Sequence, residues 1–263
     1  MKIFLLLFTP LFIFAKVHYA KVEPYDSVVL KSAVSALVME VDLEAEGSMV
    51  TSKRVIHLDD GLDKVNLEDS KKSVVLLEKM LNINEEIATS LSGTVKRQEG
   101  YYHRISKLST ASKTQKDNAY GSFTSAKTQY LGIREKIVSL EKQIMDMKYK
   151  VAQLIDSIAK KSVMLENKYL YKLMVRKGDF VNPGSALAQV EDASRAKLVL
   201  FLEPEELEQI EQKIVYLDGE KTEYKVNKVW RVADEKFISS YRAEIYIPAP
   251  ENSFSKLVKV EIK

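Results

Sequence analysis

Between Phe123 and Ile158 apolar residues return at alternating steps of three and four: Phe123, Ala126, Tyr130, Ile133, Ile137, Leu140, Ile144, Met147, Val151, Leu154 and Ile158. That period places them on one narrow stripe of an α-helix, the pattern of a coiled-coil seam, with Lys, Glu, Asp and Gln on the outer positions. A looser copy of the stripe runs through Leu67, Val74, Leu77, Leu81, Ala88, Leu91, Val95, Tyr102 and Ile105. Asn84 and Gln98 fall on it too, as polar breaks able to pin register. No proline interrupts either run. The polar, Ser/Thr-dense stretch "RISKLSTASKTQKD" separates them. In it Ser112 followed by Gln115 has capping-box spacing, so a second helix is expected from about Lys113 to Lys160. The first is expected from about Leu67 to Leu108, with Asn66 capping and Glu68 and Asp69 facing the helix dipole. At 1.5 Å per residue each arm would be roughly 60–70 Å long. Near-equal arms predict an antiparallel hairpin with its tip at about 108–113.

On either side the period changes to two. "KVHYAKVEPY", "SVVLKSAVSALVMEV" and "SMVTSKRVIHLDD" read as short strands before the helices, with "EAEG" as a turn. After Lys161, "SVMLENKYLYKLMV", "ALAQVED", "AKLVLFL", "SSYRAEIYIP" and "SKLVKVEIK" restore β character. "EPEELEQI" reads as one short helix with Pro204 in its first turn, and Asp218-Gly219 as a hairpin turn. One motif is written twice. Val41 matches Leu173, Leu43 matches Val175, Gly47 matches Gly178, Val50 matches Val181, and Leu58-Asp59-Asp60 matches Val190-Glu191-Asp192. Each copy has too few apolar residues to bury a core alone, whereas two facing copies would make a small β-sandwich. The ends of the helical hairpin must then return to one place, which an antiparallel pair of helices does.

Composition narrows the function. Forty Lys and Arg against 37 Asp and Glu leave a net charge of +3, and no basic-aromatic run stands out, which argues against nucleic acid as a partner. The absence of cysteine excludes disulfides, thiolate catalysis and Cys-based zinc sites. An apolar run from Ile3 to Ala15, too short to span a bilayer, reads as a secretory signal cleaved after Ala15, with Ala20 as a second candidate and an uncleaved anchor as the other outcome. Either way the chain is expected to work outside the cytoplasm. His57, Asp59, Asp60 and Asp63 in "HLDDGLD" lack two-His or EF-hand spacing and read as a solvated strand-to-helix linker, not a metal site. No phosphate loop or nucleophile elbow appears. The expectation is a non-enzyme with no cofactor.

The split motif around a helical hairpin resembles the periplasmic adaptor proteins of tripartite export systems, also called membrane fusion proteins or the HlyD-like family. The resemblance implies an α+β fold: a long antiparallel α-helical coiled-coil hairpin inserted into a split biotinyl/lipoyl-like β-sandwich, plus a small antiparallel β-barrel-like domain. Its expected layout is N-terminal strands over 16–30, half-motifs over 31–64 and 162–193, the hairpin over 65–161, and the barrel-like domain over 194–263. In lipoyl and biotinyl carriers the modified Lys lies on the hairpin joining the half-motifs; here helices replace that hairpin, so a carrier role is not expected. By the same resemblance the hairpin tip engages an outer-membrane channel through an Arg, a Leu and a Ser, matched here by Arg104, Leu108 and Ser112. The gap between Leu108 and Ser112 is three residues where the best-known pumps have six, and Ser112 and Leu108 also read simply as a helix cap and a last seam residue. The further implied partners are an inner-membrane transporter of ABC or RND type and other copies of the chain in a ring of six, in the periplasm of a Gram-negative bacterium. The rival reading is a periplasmic coiled-coil protein with a structural or chaperone-like role.

Overall fold

The computed structural model describes residues 16–233, 237, 239–250 and 254–263, so the apolar run read as a leader lies outside the described residues. The chain divides into two compact units: a helical one made of Ala33–Met39 and His57–Ser162, and a β-rich one made of the remainder.

The helical unit is built on α1 (Gly61–Lys107) and α2 (Lys113–Lys160), of 47 and 48 residues, each about 70 Å long. They run antiparallel. Tyr102 stacks on Phe123 with ring centroids 6.1 Å apart, Glu78 pairs with Lys148 at 2.9 Å, and Asp63 pairs with Lys161 at 2.8 Å. The stripe read from the sequence is the packed face. All eleven seam residues of α2 are buried or half-buried, while nearly every position between them is exposed. In α1 the nine apolar seam positions behave alike, and buried Ser70 fills the one gap in the three-four rhythm, between Leu67 and Val74. Asn84 is buried as expected of a seam position, and its Nδ2 donates to the Met80 carbonyl at 2.6 Å. A buried amide bonded within its own helix avoids most of the cost of an unmet donor.

Helix α2 starts and stops where the pattern says, but α1 starts six residues earlier than Leu67. Asp60, not Asn66, is the N-cap, and its carbonyl accepts from the Lys64 N–H at 3.0 Å. Asp59 Oδ1 accepts from the Gly61 N–H at 3.1 Å, meeting one of the orphan donors of the first turn. The expected linker therefore shrinks to Asp59 and Asp60, and Asp63 joins the helix. Glycine at the first helical position costs little there, because that position is only half committed to helical hydrogen bonding.

The remaining strands are β1 (Val17–Lys31), β2 (Ala36–Val41), β3 (Ser48–Leu58), β4 (Ser162–Leu173), β5 (Phe180–Val181), β6 (Ala186–Leu202), β7 (Val215–Leu217), β8 (Glu220–Lys221), β9 (Val226–Ala233), β10 (Tyr241–Pro248) and β11 (Leu257–Ile262). In the β-rich unit they order as β3-β4-β6-β1-β11-β7-β8, with β10 on β6 and β9 on β10. Two long strands organise it. β1 pairs through Val17–Lys21 with β11 and from Val22 onward with β6, shifting register between Pro24 and Asp26. The segments "KVHYAKVEPY" and the start of "SVVLKSAVSALVMEV", expected as separate short strands, are thus one continuous strand with an irregularity between Pro24 and Asp26. One core gathers Ala20, Val22, Leu198, Leu200, Leu202, Val215, Ile245 and Val260 from five strands. At Asp218-Gly219 both residues have positive φ, the type I′ geometry of a two-residue hairpin. The segment read as one helix is instead two 3-10 turns, Pro204–Leu207 and Ile210–Gln212, because Gln209 between them sits at φ 52, outside the right-handed helical region.

The duplicated motif is matched in backbone or burial at three of its seven paired positions. Gly47 and Gly178 both take positive φ, Val50 and Val181 are both buried, and so are Leu58 and Val190. Leu43 and Val175 part company: Val175 is buried, while Leu43 is exposed in the 3-10 turn Leu43–Ala45.

Candidate functional site

The turn joining α1 and α2 is Leu108–Ser112, five residues held by two caps. Leu108 is the C-cap of α1, extended at φ −76 and ψ 124, with its N–H bonded to the Ile105 carbonyl at 3.2 Å. Ser112 is the N-cap of α2, in the capping box its spacing to Gln115 announced. The Gln115 N–H donates to Ser112 Oγ at 3.2 Å, and the Ser112 N–H donates to Gln115 Oε1 at 2.9 Å. Arg104 lies in the last turn of α1 and is exposed; Leu108 is 48% exposed. The three residues singled out by resemblance are therefore at the tip, but they differ in state. Arg104 and Leu108 face solvent, whereas the Ser112 oxygen is committed to its own helix.

The turn is also cationic, a feature absent from the expectations drawn from the sequence. Arg104 and Lys107 close α1, and Lys113 opens α2 with Lys116 one turn in and no acid in the first turn. Cations at the C-terminus of α1 offset its dipole; Lys113 at the N-terminus of α2 opposes the dipole there. In the sequence this is "RISKLSTASKTQK", whose Lys113 and Lys116 stand where the start of a helix favours acids. Beneath the turn Tyr102 rests against Tyr120 and Phe123, at centroid distances of 5.4 and 6.1 Å, which stiffens the last turns.

The opposite ends of the same helices are fastened together. Asp63 accepts from Lys161 Nζ at 2.8 Å and from Ser157 Oγ at 3.1 Å. The Lys161 hydrogen bond, then that of Ser157, holds the carboxyl of Asp63 below the ordinary range against the opposing effect of burial. The Leu58 N–H donates to the Lys161 carbonyl and the Asp59 N–H to the Leu37 carbonyl, both at 2.8 Å. Asp60, buried, pairs with Lys64 at 2.9 Å and lies 3.5 Å from His57 Nε2. Of the acids of "HLDDGLD", Asp59 and Asp60 thus start α1, and Asp60 and Asp63 pair with lysines. Among the described residues no group of three or more His, Cys, Asp and Glu is placed to hold a metal ion, and no helix is long and apolar enough to cross a membrane.

No family model matches the sequence, and no curated protein is significantly similar to it. Solved structures do resemble it. MacA from Actinobacillus actinomycetemcomitans is 14% identical over 95% of this chain and 79% of its own, with a TM-score of 0.67. The membrane fusion protein Spr0693 from Streptococcus pneumoniae R6 is 10% identical over 95% of this chain and 99% of its own, with a TM-score of 0.59. The chain has the fold of membrane fusion proteins. A third structure of the same fold is a MacA-MexA chimera containing the Pseudomonas aeruginosa MexA α-hairpin domain, at 14% identity, 94% and 80% coverage, and a TM-score of 0.56. In this membrane fusion fold the expectation of an α+β chain with two long helices and a large antiparallel sheet is met.

Proposed function

We propose that the chain is a non-catalytic periplasmic adaptor subunit of a tripartite export system, its helix pair acting as a coiled-coil hairpin that reaches an outer-membrane channel. The observation that carries the reading is the tip: a tight turn with exposed Arg104 and Leu108 and a cationic rim including Lys107, Lys113 and Lys116. Lys113 works against its own helix, so its placement is accounted for by a partner surface carrying acidic groups. In this reading Ser112 shapes the turn and offers at most its hydroxyl proton.

The duplicated Gly-x-x-Val half-motifs act as one split lipoyl-like domain that holds the hairpin by its ends. The barrel-like strands face an inner-membrane transporter of ABC or RND type, and copies stand side by side in a ring, six by family resemblance. The apolar N-terminal run is the leader. Cleavage after Ala15 suits this reading, because cleavage after Ala20 would remove residues 17–20 of β1, which pair with β11. Arg104→Asp and Leu108→Ser are expected to cut export at least tenfold while the protein stays folded and abundant. Normal export by both variants overturns the channel contact and favours the structural or chaperone-like role.

A further inference from the structure

Glycine is unevenly spread along the helix pair. Apart from Gly61 at the start of α1, the two helices hold Gly93, Gly100, Gly121 and Gly132, all in their tip-side parts, and none lies over 62–92 or 133–160. A glycine inside a helix weakens it about fivefold relative to alanine. Packing within the chain does not ask for any of the four. Beyond the backbone of its own helix turns, a Cβ would meet nothing within 4 Å at Gly121 or Gly132. At Gly93 and Gly100 it would meet the ends of the Arg97 and Arg104 side chains, at 3.5 and 3.6 Å. Alanine fits at every one of them.

Two of the four coincide in height. In the register that sets Glu78 beside Lys148 and Tyr102 beside Phe123, Gly93 stands level with Gly132. Three further observations meet at this level. Gly93 lies between Ser92 and Thr94, and Gly/Ser pairs are among the few recurrent causes of a helix bend. Thr94 Oγ1 donates to the Ser90 carbonyl at 3.3 Å, a bond that competes with the backbone ladder and loosens it. The seam thins just tipward, to Gln98 and Ala126, beside a polar groove of about 610 Å³ whose lining includes Thr94, Ser125 and Gln129.

Both sides of this level are held. Rootward, Asp63–Lys161 and Glu78–Lys148 join the helices, and Ile137, Leu140 and Ile144 are buried. Tipward, Tyr102 packs on Tyr120 and Phe123. Among the described residues no ion pair or side-chain hydrogen bond crosses between the helices tipward of Glu78 and Lys148.

We infer that the helix pair has a joint at Gly93 and Gly132, about which the tip segment bends as one piece while the root stays clasped. A weak point in one helix alone would be splinted by its partner; two at one height are not. The joint gives the tip a range of directions. It belongs to the free chain and does not rest on the channel contact.

The test uses spin labels on the purified full chain, which has no native cysteine. Lys79→Cys with Lys107→Cys spans the joint, and Leu62→Cys with Ser90→Cys spans an equal length of α1, about 42 Å, on the root side alone. All four positions are exposed. The distance distribution across the joint is expected to be roughly twice as broad as that of the root pair, or more. Gly93→Ala together with Gly132→Ala should narrow it to the width of the root pair, with helical circular dichroism retained. Gly93→Ala alone should slow hydrogen exchange of the amides at 91–97 about fivefold and leave 140–150 unchanged. Equal widths for the two label pairs overturn the inference, and so does a broad distribution that survives both alanines. Exchange at 91–97 that Gly93→Ala does not slow overturns it as well. No channel is present, so failure of the tip reading leaves this result unaffected.

Discussion

The two ends of one helix pair answer the same electrostatic problem in opposite ways. At the root, α1 begins with Asp60 and Asp63 and α2 ends with Lys160 followed by Lys161, so each helix dipole meets the favoured charge and the charges then meet each other through Asp63 and Lys161. At the tip, Arg104 and Lys107 suit the end of α1, but Lys113 and Lys116 repeat the same sign at the start of α2. Among the described residues no ion pair joins these cations to the facing helix. Root charges hold the helices together, while Arg104, Lys107 and Lys113 at the tip are exposed, the last at some cost to its helix. In the proposed function, this difference is what separates the structural end of the pair from the contacting one.

Breaking the root should therefore cost stability, and changing the exposed charges of the tip should not. Asp63→Ala leaves the largely buried Lys161 ammonium without its carboxylate and Ser157 without its acceptor; a loss of about 2 kcal/mol is expected in urea unfolding. The same carboxyl gives a pH test. Its folded pKa lies below its unfolded value of about 3.9, so its contribution is fully present above that value and disappears as pH falls through the folded pKa. The wild type should lose stability below about pH 4 more steeply than Asp63→Ala. Parallel curves for the two proteins would remove the clasp from the account.

At the tip, Ser112→Ala should cost about 1 kcal/mol by deleting the cap acceptor for the Gln115 N–H, with export little changed. A large export defect without loss of stability would instead assign Ser112 to the partner contact. The smallest effect sharpens the contrast most. Lys113→Glu should raise thermal stability by a few tenths of a kcal/mol, by restoring an acid to the first turn of α2, and yet lower export. A variant at once more stable and less active has no explanation in a purely structural role.

Much of the helical unit was legible because a seam is a one-dimensional pattern. Steps of three and four from Phe123 to Ile158 predict burial residue by residue, and Ser112 with Gln115 predicts the start of α2 from local hydrogen bonding alone. What escaped lay where local preference and context disagree. Gly61 looks like a linker residue until Asp59 and Asp60 meet the first turn, and two short strands are expected where β1 runs on through a register shift between Pro24 and Asp26. Val41 and Leu43 mimic Leu173 and Val175 in sequence, but Leu43 is lifted out by a 3-10 turn that sequence spacing does not reveal. A second stripe was hidden by the first: Leu76, Met80, Ile83 and Ile87 have the same spacing as seam residues, and burial separates the two sets. Of the site, Arg104, Leu108 and Ser112 were legible as tip residues, while the charge rim became readable once the helix ends were fixed.

The central claim is that the tip touches an outer-membrane channel. Thr110 sits in the turn between the two caps, and the chain carries no other cysteine to confuse the result. A photoactivatable crosslinker on Thr110→Cys in intact cells, followed by mass spectrometry of the captured species, should return an outer-membrane channel protein. Arg104→Asp should abolish that capture. Reproducible labelling of Thr110→Cys that captures no outer-membrane protein would contradict the account.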